Sequence, residues 1–203
     1  GSVTITGTPV AGHHVDLVFM NPELGPAEWD PALTVLSIDI ETDPRSDEVL
    51  AVSLVARGPW TDPVDEVHFS GPDPNHDGII AYRTEAELLA GTVRRIAEID
   101  PDIVTGWNVI DFDFAVIARR LAHHGIRFAI ARSAEAAQFL PSTQDEGGRR
   151  QNAAVSCPGR QVIDGLPLLE GLDQPPKSDL SLTDDAVIGR KIVKYFVGEK
   201  AIP

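Results

Sequence analysis

The chain has 203 residues, of which 42% are hydrophobic and 24% are charged, a composition typical of a folded globular domain. Its formal net charge of −14 would repel a polyanion at long range, which excludes a protein that coats a nucleic-acid duplex by charge alone. The single cysteine, Cys157, excludes an internal disulfide and a thiolate metal cluster. It favours a reducing compartment, and we expect the cytoplasm. No apolar stretch approaches the roughly 20 residues of a membrane span, and no signal-peptide pattern is present, so we expect no membrane partner.

Residues 1–33 are predicted to form an N-terminal lead-in segment. Gly1-Ser2 is typical of the remnant of a cleaved expression tag. Residues 15–20 (VDLVFM) predict one strand, and the Pro-rich run NPELGPAEWDP follows it. The adjacent His13 and His14 have no partner cluster, so we interpret them as loop residues rather than metal ligands.

Residues 34–43, TVLSIDIETD, are predicted to form the central strand of a domain that spans residues 34–203. Because side chains alternate along a strand, Asp39 and Glu41 should face the same side, with Cα atoms roughly 6.6 Å apart. Two carboxylates this close favour a neutralising cation, and oxygen ligands suit Mg²⁺ or Mn²⁺. A pair of solvated acids at a strand end also explains the D-x-E pattern, and on the pattern alone it is the preferred of the two interpretations.

Two further strands are predicted at residues 48–57 and 64–70, forming an antiparallel meander with the central strand. Residues 71–78, GPDPNHDG, predict a loop. His68 and His76 have no metal-ligand spacing, and we expect both at the surface.

Residues 84–100 predict a helix, in which Thr84 and Glu87 form a capping box and Pro101 ends the helical run. Residues 102–107 then predict a short strand. After a helical crossover this strand should lie parallel to the central one.

The segment Gly106 to Phe114, GWNVIDFDF, lies where this strand gives way to a second helix that ends near Gly125. Asp113 in the first helical turn is expected to be held ionised by the helix dipole. Asp111 is a competing candidate, which as an N-cap would be structural, and spacing alone does not choose between them. His123 and His124 in the last turns are expected to be structural.

The remaining segments carry weaker signals. Residues 132–160 are polar and predict a β-hairpin or loop, in which Arg149 and Arg150 either are solvated or contact a phosphate backbone. Residues 161–164 predict the last strand of the sheet. Asp164 is expected to be the N-cap of the helix that follows, with a metal-ligand role as the alternative. A linker and a short amphipathic helix at residues 181–188 are predicted after it.

The segment SIDIET, followed by PDIVTGWNVIDFDF, resembles the first and second exonuclease motifs of family B DNA polymerases. The later GRQVIDGLPLLEG and SLTDDAVIG resemble the segments that follow in the bacterial DNA polymerase II branch. The resemblance implies an α/β, ribonuclease-H-like fold: a mixed sheet of about five strands, flanking helices and a β-hairpin insertion. It also implies proofreading hydrolysis in the 3′ to 5′ direction.

Matched residue by residue, the resemblance makes Asp39, Glu41 and Asp113 the catalytic metal ligands and Asn108 a nucleic-acid-binding residue. It implies two Mg²⁺ or Mn²⁺ ions, with Asp39 bridging both. The implied partners are the single-stranded 3′ end of DNA and a polymerase domain in the same parent chain. Asp111 is then left as a cap or solvated residue.

The family's third motif, a tyrosine followed four residues later by an aspartate on a final helix, has no convincing match. Tyr195 and Glu199 have the spacing, but their segment KYFVGEK resembles the region upstream of that helix. We therefore expect a domain truncated before its last helix, an incomplete site and little or no activity from the 203-residue chain. A non-catalytic scaffold or DNA-binding module of an inactivated polymerase relative, and an unrelated Mg²⁺-dependent nuclease or phosphatase, are the open alternatives.

Overall fold

The computed structural model describes residues 2–11, 17–28, 31–72, 77–144 and 147–170. The chain divides into two compact units, with the boundary between Ala32 and Leu33. Among the described residues, no helix is both long enough and apolar enough to cross a membrane.

The first unit contains an antiparallel pair of strands, β1 (Ser2–Thr6) and β2 (Glu23–Ala27). The strand predicted at residues 15–20 is wrong over its described part, because residues 17–20 make only an isolated bridge between Phe19 and Pro9. The Pro-rich run forms β2 instead, since a two-stranded ladder leaves an outer side where a residue without an N–H is tolerated. His13 and His14 lie outside the described residues.

The second unit contains most of the regular structure. In chain order its elements are β3 (Val35–Thr42), β4 (Val49–Arg57), β5 (Val64–Ser70), β6 (Ile79–Tyr82), α1 (Glu85–Ile99), β7 (Ile103–Gly106), a π-helical turn (Ile110–Phe114), α2 (Ala115–His123), β8 (Gln138–Leu140), β9 (Thr143–Gln144), β10 (Arg150–Gln151), β11 (Ala154–Ser156), β12 (Gln161–Asp164) and α3 (Gly165–Glu170).

Six strands form one mixed sheet in the order β12-β7-β3-β4-β5-β6. The pairs β3–β4 and β4–β5 are antiparallel, as the sequence predicted, whereas β3–β7, β7–β12 and β5–β6 are parallel. The predicted ribonuclease-H-like α/β class is confirmed, with six strands rather than about five.

The additional strand is β6, which follows the predicted loop and to which the sequence prediction assigned no element. It pairs with β5 and covers His68, so the prediction of a surface position for this histidine is wrong. His68 is only 1% exposed, and the Tyr82 hydroxyl lies 3.0 Å from its Nδ1 atom. Four residues are too few to show the alternation of apolar and polar side chains that identifies a strand, which explains the error. His76 lies outside the described residues.

The two longer helices pack on one face of the sheet. Their apolar side chains bury the inward residues of β3, and α1 begins at the predicted cap, where the Thr84 hydroxyl accepts the N–H of Glu87 at 3.2 Å. The buried core on this side includes Leu36, Ile38, Ile40, Leu54, Leu88, Leu89, Ile96, Phe114, Ile117 and Leu121. Val35, Val55 and Ile103 form a smaller buried cluster that contains the alternate residues of the same strands.

The predicted β-hairpin is confirmed between α2 and β12. Its base is the antiparallel pair β8–β11, and its outer part is the pair β9–β10. The predicted linker, the helix at 181–188, Tyr195 and Glu199 lie beyond residue 170, outside the described residues.

Candidate active site

The site lies where β7 separates from β3. β7 pairs with β3 only along Val35 to Ser37, while β3 continues to Thr42. Gly106 ends β7 at this separation, and a Cβ atom there would lie 2.4 Å from the carbonyl oxygen of Ile38. Only glycine fits this approach. Because β7 ends here, a gap is left beside the second half of β3.

Asp113 fills this gap from the π-helical turn that leads into α2. Its Oδ1 atom accepts the backbone N–H of Ile40 at 3.0 Å, and the residue is 1% exposed. Because Ile40 lies between Asp39 and Glu41 in the chain, this hydrogen bond brings the acid of the second motif to the acids of the first.

Burial raises the pKa of Asp113 to about 8, and the negative charge of Asp39 adds to the increase. The N–H of Ile40 opposes these effects, and Asp164 contributes a smaller increase. The expectation that the helix dipole keeps Asp113 ionised is therefore wrong. For a carboxyl that is 1% exposed and close to another acid, the rise in pKa caused by desolvation exceeds the decrease that one helix terminus can cause.

Asp39 and Glu41 line a pocket of about 280 Å³ at the end of β3. Asp39 is half-buried and Glu41 is exposed. Asn108 also lines the pocket, and its φ of +54° is a left-handed conformation that is uncommon outside glycine. The remaining lining residues are Ile40, Thr42, Trp107 and Phe112.

Two aromatic residues of this pocket received no role from the sequence. Phe112 is 45% exposed at the pocket, and Trp107 is half-buried beside it. Their position inside the GWNVIDFDF motif was the available signal. Asp111, the neighbour of Phe112, is exposed as its solvated interpretation predicted. It is not the helix N-cap, which is Val109 with no capping side-chain hydrogen bond.

Two predicted structural roles are confirmed at the edges of the site. Asp164 is the N-cap of α3, since its Oδ1 atom accepts the N–H of Leu166 at 2.9 Å. Its Oδ2 atom accepts the N–H of Ile110 at 3.1 Å, which holds the π-helical turn next to β12. His124 is structural, with Nε2 2.6 Å from Glu85 Oε2, and His123 lies edge-on against its ring.

The carboxylate oxygens of the site are the type of ligand that a hard divalent cation prefers, but they do not form a preorganised metal site. Within residues 2–170, apart from the undescribed positions, no three His, Cys, Asp or Glu side chains are grouped closely enough to hold a metal ion. Asp113 is directed to the backbone of Ile40, while Glu41 is exposed. Burial, more than the charge of Asp39, raises the pKa of Asp113, and carboxylate oxygens are the ligands that Mg²⁺ and Mn²⁺ take.

Comparison with known proteins identifies similar sequences. The family model described as "DNA polymerase family B, exonuclease domain" matches residues 10–181. A DNA polymerase of Thermococcus sp. (strain 9oN-7) is 27% identical over 176 residues, which are 87% of this chain and 22% of that protein. A DNA polymerase of Thermococcus kodakarensis is 28% identical over 176 residues, 87% of this chain and 10% of that protein.

A DNA polymerase of Pyrococcus horikoshii is 25% identical over 178 residues, which are 88% of this chain and 14% of that protein. The chain thus spans about a tenth to a fifth of the length of these relatives. The relatives are archaeal, and they do not support the closer resemblance to the bacterial DNA polymerase II branch.

Proposed function

Because the chain belongs to the family B DNA polymerase exonuclease domain family, we propose that its site hydrolyses the 3′-terminal nucleotide of DNA in a proofreading reaction. The hydrogen bond from Ile40 to Asp113 carries the proposal, because it brings together acids that lie far apart in the sequence. A role in proofreading also accounts for a strongly acidic protein that acts on DNA, since a bound cation reverses the local charge.

We propose Asp39, Glu41 and Asp113 as the catalytic residues and as the ligands of two divalent ions. When bound, Mg²⁺ or Mn²⁺ would activate the attacking water and neutralise the leaving 3′ oxygen. The protein's own contribution is to hold Asp39 and Glu41 on one strand and Asp113 against its backbone. Asn108, which also lines the pocket, would hydrogen-bond the terminal nucleotide.

A pocket of about 280 Å³ supports a frayed single-stranded end as the substrate, because a paired terminus is too wide to enter it. Phe112 and Trp107 would contact the terminal base, since exposed aromatic rings provide stacking surfaces for unpaired bases. Mismatched ends fray more readily than paired ends. Selectivity would therefore follow from the stability of the terminal base pair.

Several finer assignments are part of the same proposal. The parent protein would carry a polymerase domain, as the DNA polymerases named above suggest, and would act in the cytoplasm. The chain would consist of a lead-in segment (1–33) and an exonuclease domain (34–203). The placement near the bacterial DNA polymerase II branch stays a prediction. With only Asp39, Glu41 and Asp113 as proposed ligands, we expect weak cation binding and little activity.

The test is a titration of the 203-residue chain with Mn²⁺ at pH 8, in which electron paramagnetic resonance measures the bound ion. Asp39→Asn and Asp113→Asn should each weaken binding at least tenfold, whereas Asp111→Asn, the matched exposed acid in the same turn, should leave it unchanged. Equal binding by all four proteins would contradict the site. It would favour the non-catalytic scaffold, to which the lack of a three-acid cluster among the described residues also points.

Digestion of a 5′-labelled single-stranded oligonucleotide with Mn²⁺ tests the reaction itself. Slow shortening from the 3′ end that is lost in Asp39→Asn is the expected result. Robust shortening from the same end would contradict only the prediction of an incomplete site. Cleavage inside the strand would contradict the exonuclease assignment.

A further inference from the structure

Glu85 is a buried acid in the first turn of α1 that none of the proposed chemistry uses. The residue is 3% exposed, and its Oε1 atom accepts the backbone N–H of Val49 at 2.8 Å. Arg120 of α2 donates to both carboxylate oxygens, from Nε at 2.7 Å and from Nη2 at 2.5 Å. His124 Nε2 lies 2.6 Å from Oε2. One carboxylate therefore joins α1, the start of β4, the last turn of α2 and the C-cap of α2.

Each of these partners is tied to the candidate site. Val49 begins β4 and lies opposite Thr42 in the β3–β4 ladder, at the end of β3 that carries Glu41. Arg120 and His124 belong to the helical segment that continues from the π-helical turn of Asp113. The Glu85 carboxylate thus connects the end of one acid-bearing element to the body of the other.

The connection is mechanically direct, because a helix moves as a rigid unit over two turns. Asp113 and Arg120 are seven positions apart in one continuous helical run. A shift of α2 against β4 would consequently change the distance between Asp113 and Ile40. A bidentate guanidinium–carboxylate pair restricts both distance and angle, which a single ion contact would not.

We propose that Glu85 is a positioning residue, which clamps α2 to the start of β4 so that Asp113 stays hydrogen-bonded to Ile40 and next to Asp39. The inference rests on the proposed function only for its effect on cation binding, since the geometric part concerns the metal-free protein. The hydrogen-bond partners of Glu85 named here, Val49, Arg120 and His124, do not line the pocket. Its effect would therefore pass through α2 and β4.

A second ion pair, between α2 and the connection from β3 to β4, is too exposed to replace the clamp. Arg119 Nη2 lies 2.9 Å from Asp47 Oδ2, but these side chains are 54% and 66% exposed. Exposed ion pairs are screened by water and hold their partners loosely. Glu85 and Arg120, at 3% and 17% exposure, are far better shielded.

The test is residue-resolved amide hydrogen exchange of the metal-free chain at pH 7. Glu85→Gln keeps an acceptor for Val49 but loses the charge pair, and Arg120→Lys keeps the charge but loses the bidentate geometry. In both variants the Ile40 amide should exchange roughly tenfold faster, relative to the change at Leu54 in the centre of β4. Glu87→Gln is the matched control, since it removes a 40% exposed acid from the same helical turn.

Equal acceleration at Ile40 and Leu54 would mean that Glu85 only adds global stability, and would overturn the proposal. If Glu85→Gln does not fold, Arg120→Lys decides by the same comparison. A Mn²⁺ titration then tests the functional link, with a roughly tenfold loss of affinity expected in both variants, because residues that orient ligands act on this scale. Unchanged affinity in a variant whose parent binds Mn²⁺ would overturn the link to the site. A parent that binds no Mn²⁺ would contradict the proposed function. The hydrogen-exchange comparison would still test whether Glu85 holds Asp113 against Ile40.

Discussion

Asp113 and Ile40 are joined by a hydrogen bond in which a side-chain oxygen takes the place of a strand partner. The N–H of Ile40 points into the gap left by β7, and the Asp113 carboxylate accepts it at 3.0 Å. A buried N–H without an acceptor is costly, so the acid has a structural duty beside its proposed catalytic one. Both duties favour the charged carboxylate, whereas burial and the charge of Asp39 oppose that charge.

The opposition predicts that Asp113→Asn stabilises the metal-free protein, whereas Asp113→Ala destabilises it. An asparagine can still accept the N–H of Ile40 and removes a carboxyl whose pKa is raised to about 8 by burial and by Asp39. An alanine leaves the N–H unsatisfied, at a cost of about 1–3 kcal/mol. Urea unfolding with EDTA at pH 9, where the parent carboxyl is charged, measures both free energies. A less stable asparagine variant would contradict the burial argument.

Gly106 offers a test of the gap itself. The Cβ of Gly106→Ala would lie 2.4 Å from the Ile38 carbonyl oxygen, so β7 or β3 must shift. We expect a loss of about 1–3 kcal/mol in the free energy of unfolding, the usual cost of overpacking. Gly25→Ala is the control, because nothing lies within 4 Å of its added Cβ. Urea denaturation with equal losses in both variants would show that the close approach is not what requires glycine.

The sequence predicted the central strand, the parallel β7 and the hairpin, because each is marked by local signals such as β-branched runs and turn residues. Through the resemblance it also predicted Asp39, Glu41 and Asp113 as one site; the structure joins Asp113 to the backbone of Ile40, and the shared site stays a prediction. It could not predict the charge state of Asp113, which depends on how completely β3 and α2 exclude water. Nor could it predict the burial of His68, which depends on a partner strand with almost no periodicity.

Phe112 is expected to contribute to binding of a single-stranded 3′ end. It is 45% exposed beside the acids, and stacking of a base on an aromatic ring contributes about 1–3 kcal/mol. Phe112→Ala should therefore weaken binding of a fluorescent single-stranded oligonucleotide about tenfold or more, measured by anisotropy with Ca²⁺ to avoid cleavage. Trp60→Ala is the control, since Trp60 is 79% exposed but lies in the β4–β5 connection. An equal loss in both variants would indicate nonspecific aromatic contacts.

Glu85 illustrates why a site's supporting residues escape sequence analysis. In the sequence it is one of two first-turn acids of α1, and only Glu87 has a predicted role, in the capping box. Its burial is set by Arg120 and His124, which lie 35 and 39 positions later in the chain. Only the packing of α2 on α1 separates the two acids.

The same contacts predict a specific dependence of stability on pH. Burial alone would raise the pKa of Glu85, but hydrogen bonds from Arg120, His124 and the Val49 N–H outweigh it and lower the pKa from its usual 4.5 to about 2. A carboxyl that is more acidic in the folded protein stabilises it fully above the unfolded pKa, and this contribution is lost as the pH falls from about 4.5 towards 2. At neutral pH the contribution is at most about 3 kcal/mol.

Glu85→Gln should therefore be less stable than the parent at pH 7, with a difference that shrinks steadily between pH 5 and pH 3. Because other carboxyls titrate in the same range, the informative quantity is the difference between the parent and the variant in urea unfolding at each pH. Glu87→Gln should show a much weaker trend, since this carboxylate is 40% exposed and pairs with the 86% exposed Arg83, and exposed ion pairs contribute little. A difference for Glu85→Gln that stays constant from pH 7 to pH 3 would mean that the glutamate stabilises the fold by packing rather than by its charge.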